Sequence, residues 1–202
     1  MNRFAIPIKS GILICLVLTK SSTAAGDNDD LRTAIIQLKS VDATLRLRSV
    51  KYLSIANGNV QDAIPIIVDM VANDTDLSIR RSAARTLGRI GADSNHAVNA
   101  LVDACGSADQ ETVTAAIAGL GRLGCQNNKA KKALILLAEG TSNQHPIVDA
   151  LVRIEKASKS AEDVTVTLDK MEASNIKVKE WRKSAELNVE LEDLITKNRP
   201  RK

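Results

Sequence analysis

The segment Asp76–Gly91, DLSIRRSAARTLGRIG, sets Ile79, Ala83, Ala84, Leu87 and Ile90 at the three-and-four spacing that gathers side chains on one face of a helix. Arg81, Arg85 and Arg89 fall on the opposite face, and Gly91 ends the pattern. The apolar face is made of small residues. Ala83, Ala84 and Gly88 leave little between backbones, so a neighbouring helix can come close, as in stacked hairpins. The same arrangement returns at a period of 33 or 34 residues. Starting from Asp42, Leu45, Arg46, Val50 and Leu53 fall on Ile79, Arg80, Ala84 and Leu87. Starting from Asp109, Ala116, Ile117, Leu120, Gly121, Leu123 and Gly124 fall on Ala83, Ala84, Leu87, Gly88, Ile90 and Gly91. A fixed period of this size, with no strand pattern beside it, predicts an all-α solenoid of about four helix hairpins.

The periodicity divides residues 26–157 into units near 30–57, 60–91, 93–124 and 126–157. Leu31, Ala34, Ile35 and Leu38 give the first unit its first apolar face; Ala97, Val98, Leu101, Val102 and Cys105 do so in the third, and Ala130, Ala133, Leu134 and Leu137 in the fourth. Pro65 is expected inside a first helix, bending it. Pro146 suits the first position of the helix that carries Ile147, Ala150, Leu151 and Ile154. From Ser158 the composition turns polar, and residues 158–202 read as a charged helical cap over the open end of the solenoid, or else as an independent partner-binding tail. Their long helix, about 176–197, carries an imperfect apolar stripe of Val178, Trp181, Ala185, Leu187, Leu191, Leu194 and Ile195, and residues 198–202 are expected to fray.

Ala63 to Gly91, AIPIIVDMVANDTDLSIRRSAARTLGRIG, resembles a HEAT repeat of the short bacterial kind: a first helix with Ala63, Ile64 and Pro65, an aspartate turn, then a helix with the V-R-x-x-A-A-x-x-L-G-x-I-G pattern. The resemblance implies a right-handed α-solenoid whose second helices line the concave side. It also implies that aspartates such as Asp42, Asp76 and Asp109, with the arginine matched by Arg46 and Arg80, tie successive repeats together. Val113 stands at the third arginine position, so the ladder is expected to be interrupted there. Bilin lyases share short HEAT-like repeats, which makes a lyase or enzyme-associated subunit the alternative function. On the residues alone, the three aspartates read as turn and helix-start residues.

The first 25 residues have the layout of a secretory signal peptide. Arg3 and Lys9 begin it, Gly11 to Leu18 form an apolar run, and Ser22-Thr23-Ala24 or Thr23-Ala24-Ala25 offers a small-residue cleavage site. The run is about half of the roughly 20 apolar residues a membrane span needs, so cleavage and export to the periplasm or medium are expected, with no membrane insertion afterwards. Without this leader, which holds Arg3, Lys9 and Lys20 and no acid, the 28 basic and 24 acidic residues become 25 and 24. A near-neutral chain with Tyr52 and Trp181 as its only remaining aromatics lacks the charge and stacking surface of a nucleic-acid binder.

Catalytic patterns are missing. His96 and His145 are the only histidines, and there is no HExxH pair, CxxC, GxSxG elbow or phosphate-binding glycine loop. Gly119, Gly121 and Gly124 resemble a GxGxxG run, but lie where the repeat demands small residues. Cys105 and Cys125 fall at the ends of antiparallel helices, roughly 20 Å apart at 1.5 Å of rise per residue, too far for a disulfide. No enzyme, cofactor or metal is therefore expected. What remains is surface. Aligned second helices put Lys51 and Arg85 in one row and Ile55, Arg89, Arg122 and Arg153 in the next, a basic stripe suited to an acidic segment of another protein. The competing reading is that these are solvated cations near helix C-termini, where the dipole favours them.

Overall fold

The computed structural model describes residues 24–56, 58–140, 144–158 and 161–197, with side chains from residue 29 onward, 176 excepted. Ten α-helices follow one another among the described residues: α1 Ala24–Gln37, α2 Ala43–Leu53, α3 Ile64–Asn73, α4 Leu77–Ile90, α5 Asn95–Ala104, α6 Gln110–Gly124, α7 Asn128–Gly140, α8 His145–Ala157, α9 Glu162–Ser174 and α10 Ile176–Lys197. No strand occurs among those residues. The expected leader lies, apart from its last two positions, outside them.

Consecutive helices pair into hairpins, and the hairpins stack. Second helices α2, α4, α6, α8 and α10 form one row, and first helices α3, α5, α7 and α9 the other. Leu53, Leu87 and Leu120 each point into the continuous apolar layer between the rows, fully buried, as do Ile79, Leu101, Leu134 and Leu151. The second-helix row is the tighter one because glycine lines it. A Cβ on Gly88 would lie 2.4 Å from the Gly119 Cα, and one on Gly121 would lie 2.7 Å from the Ala150 Cβ. Backbones of α4 and α6 thus touch, and Gly119 and Gly121 belong to this packing.

Asp42, Asp76 and Asp109 start α2, α4 and α6, their carboxylates accepting from the backbone N–H groups of Thr44, Ser78 and Thr112 at 2.7, 2.7 and 2.9 Å. Pro65 does not bend a helix. A short 3-10 turn, Gln61–Ala63, precedes it, and α3 begins at Ile64, so the missing N–H falls in the first helical turn where no intrahelical acceptor exists.

The architecture does not change at Ser158. Where a helical cap or a tail was expected, α9 and α10 form a fifth hairpin over the end of the stack, α9 stacking on α7 and α10 on α8. The run Val164-Thr165-Val166-Thr167 is rich in β-branched residues, poor helix formers, and concealed α9; burial of Val164, Leu168 and Met171 overrides that local preference. Arg182 on α10 locks the hairpin, donating to Glu155 of α8 at 2.8 Å and to Asp169 and Glu172 of α9 at 3.0 and 2.9 Å.

Two bidentate ion pairs tie the first three units. Arg46 donates from Nε and Nη2 to Asp74 at 2.8 and 2.9 Å, and Arg81 likewise to Asp109 at 2.9 and 2.7 Å. The expected ties need correcting in two places. Arg81, assigned to the outer face, holds Asp109, while Arg80 leaves a buried Nε without a partner. The acceptor before α4 is Asp74 and not the cap Asp76. One residue along a helix turns the side chain by about 100°. Asp74 lies two residues ahead of its cap whereas Asp109 is itself the cap, so the arginine that reaches the acceptor shifts by one between α2 and α4. Beyond this, no ion pair among the described residues joins α6 to α8. Hydrogen bonds from Arg81 and Thr112 hold the Asp109 carboxyl well below the usual carboxylate range. Burial pushes the Asp74 carboxyl up, but the Arg46 hydrogen bonds, the Asp76 N–H and nearby Arg80 leave it net lowered.

Two measurements check this packing. Gly88→Ala should lower stability in thermal denaturation, since overpacking costs about 1–3 kcal/mol and exceeds the gain of up to ~1 kcal/mol in helix propensity. Gly140→Ala, with open space around it, should be neutral or slightly stabilising. The ion pair makes a pH-dependent contribution. A carboxyl with a depressed folded-state pKa adds stability that is present above the unfolded value of about 3.9 and disappears as pH falls through the folded value. Asp109→Asn should therefore flatten the loss of stability on acidification from about pH 5 to 2, read by urea denaturation at each pH.

Candidate functional site

Arginine recurs near the C-terminal ends of the second helices, where the helix dipole stabilises cations. Arg89 lies in the last turn of α4, Arg122 in that of α6, and Arg153 one turn from the end of α8. The close approach of α4, α6 and α8 brings these ends together. Arg122 is half-buried, and burial together with the charges of Arg89, Arg153 and Arg85 lowers its hold on its proton. A guanidinium stays charged regardless, so the site keeps several uncancelled cations in close proximity. Arg85 and Arg89 are exposed. Lys51, also exposed, sits one helix along in the last turn of α2, with Ile55 beyond it 71% exposed.

Arg153 departs from the expected solvent-facing row. Its Nη1 donates to Glu192 of α10 at 2.8 Å, which raises its pKa further. The Arg153 hydrogen bond, against some burial, holds the Glu192 carboxyl low, assisted by the charges of Arg153, Arg122 and Arg89. Glu192 thus faces three of the four arginines. Sequence reasoning missed it because α9 was hidden, so α10 was not seen as the fifth second helix and its position in the row went unassigned. A groove of about 380 Å³ runs between α8 and α10, lined by Asp149, Arg153, Ala185, Leu191, Glu192 and Ile195. Burial raises the Asp149 carboxyl, and at the far end of the same α8 face His145 meets Trp181 edge-on with ring centroids 5.2 Å apart.

Asp42, Asp76, Asp109, Arg46 and Arg80 stand apart from this surface, at the turns within the hairpins and in the first turns of the helices that follow them. Cys105 and Cys125 are free thiols, half-buried; burial pushes Cys105 up to about 11 and Cys125 up as well. No group of three or more metal-ligating side chains occurs among the described residues, and no helix there is long and apolar enough to cross a membrane. What the arrangement offers is a row of fixed guanidinium donors, geometrically suited to carboxylates.

Residues 28–121 match the family described as HEAT repeats. None of the curated protein sequences matches this chain. Among solved structures, an engineered protein is similar at 21% identity and a TM-score of 0.53, covering 83% of this chain and 82% of that one. The complex of CpcE and CpcF of phycocyanin lyase from Nostoc sp. PCC7120 is similar at 20% identity and a TM-score of 0.56, covering 94% of this chain and 70% of that one. The fold is a HEAT-repeat solenoid, in which residues 28–121 match the family and the hairpins after them continue its stacking.

Proposed function

We propose that this chain is a non-catalytic repeat scaffold, exported by its leader, that holds a partner protein by an acidic segment laid along the arginine row. The observation that carries this reading is the convergence of Arg89, Arg122 and Arg153 from three successive helices on a single carboxylate, Glu192, with Arg85 close enough to add its charge at Arg122. Such a cluster is unfavourable on its own and is relieved by an incoming anion. The layout of residues 1–25 supports export. The rival, a subunit of a bilin lyase, rests on likeness of fold to the phycocyanin lyase complex, and folds are shared across unrelated tasks. Bilin attachment takes place inside the cell, so a mature N-terminus near Ala25 found in the exported fraction favours the scaffold.

Charge reversal of two of the three arginines of the row that have no ion-pair partner among the described residues tests the surface. R89E/R122E should bind the partner recovered from the exported fraction at least tenfold more weakly, about 1.4 kcal/mol, with circular dichroism unchanged. Wild-type binding should itself fall with added salt, since exposed charges are screened over about 8 Å at physiological ionic strength. Normal binding by the folded variant would move the contact surface elsewhere.

Arg153 needs separate treatment because it also anchors α10. Arg153→Glu should set two carboxylates against each other and cost roughly 0.5–1 kcal/mol, the range of a partly exposed pair. Faster hydrogen exchange confined to α10 is the expected readout; uniform change across the stack would contradict the local role of the pair.

A further inference from the structure

Beside the arginine row lies an apolar face that no described residue covers. Leu187, Leu191, Leu194 and Ile195 of α10 are 56–60% exposed and recur at the spacing of one helical face, while Val178 and Ala185 bury the other side of the helix. Leu191 and Ile195 line the same groove as Arg153 and Glu192, so the apolar face and the cationic row share an edge. Exposed apolar side chains clustered next to fixed charges mark interaction surfaces.

Charge complementarity selects the occupant. A second copy of α10 would match leucine to leucine, but its Glu186, Glu190 and Glu192 already face Arg182, Lys156 and Arg153 of their own chain. It would bring none of these carboxylates to Arg89 and Arg122. The surface calls for something apolar at one end and acidic at the other. We infer that the arginine row and the leucine face of α10 form one composite surface for an amphipathic helix of a partner protein, its apolar residues seated on Leu191 and Ile195 and its carboxylates on Arg122 and Arg89. This rests on the reading of the arginine row as a partner site and adds the apolar half of that site. Neighbouring helices lie about 8–10 Å apart, so a helix crossing from α10 over α8 to α6 and α4 carries its acids about three to five turns from its apolar pair.

The probe is a labelled helical peptide with two leucines one turn apart and two glutamates about three to five turns further on, measured by fluorescence anisotropy against the full chain. Control peptides carry Gln for Glu, or Ser for Leu. The parent peptide should bind at least tenfold more tightly than either control. L191S/I195S, changing only exposed side chains, should weaken it at least fivefold and leave its salt dependence intact. R89Q/R122Q should weaken it and flatten the salt dependence, and Glu192→Gln, which frees Arg153, should tighten it. If the arginine variant weakens binding but L191S/I195S and the Ser peptide behave like their parents, the composite surface is wrong and the proposed function stands. If the arginine variant binds normally, both fail. Absence of peptide binding, or a dimer in sedimentation that L191S/I195S dissolves, overturns the inference.

Discussion

Contact between backbones at Gly88 and Gly119 is the constraint on which the rest of this solenoid depends. With no Cβ at either position, α4 and α6 pack closer than ordinary side chains permit, and Gly121 against Ala150 repeats the device between α6 and α8. A stack whose one row packs more tightly than the other curves toward the tight row, so the second helices occupy the inner side. Their last turns are drawn together as a result. Arginines that would be unremarkable on isolated helices become neighbours, which is why the proton affinity of Arg122 responds to Arg85, Arg89 and Arg153.

The charges fall into two populations with opposite character. In the turns, each arginine that links repeats meets a carboxylate at two-point geometry, and Asp74 and Asp109 are held ionised by it. These groups are spent on holding the stack. On the inner row, cations outnumber anions, and among the described residues the carboxylate that pairs with an arginine there comes from the final helix. A sequence with a formal net charge of only +4 can therefore gather its cations on one surface, since the charge of the whole says nothing about how partners are distributed.

Much of this was legible in the sequence, because small-residue helical periodicity is itself the cause of the fold. The register of Leu53, Leu87 and Leu120 and the capping aspartates follow from spacing alone, whereas the ladder between repeats and its interruption at Val113 were implied by the resemblance to HEAT repeats. What escaped did so for local reasons. A run of β-branched residues disguised α9, whose helicity depends on burying Val164, Leu168 and Met171. Alignment by caps equated Arg46 with Arg80, yet Asp74 and Asp109 occupy different positions relative to their caps, and a single residue of offset hands the contact to Arg81. Once α9 was missed, Glu192 had no place in the row.

The end of the ladder after Asp109 gives the stack an uneven grain. Separating α4 from α6 breaks both the glycine contact and the Arg81 clamp, whereas α6 meets α8, among the described residues, through apolar packing, the Gly121–Ala150 contact and a weak hydrogen bond from the Cys125 thiol to the Arg153 carbonyl, with no ion pair. Past it, Arg182 binds α8, α9 and α10 into one block. In a linear array, where stability is summed over neighbouring interfaces, such a seam divides the chain into two cooperative blocks that flex against each other. Arg89 and Arg122 belong to one block, Arg153 and Glu192 to the other, so bending at the seam changes the spacing of the guanidiniums along the row.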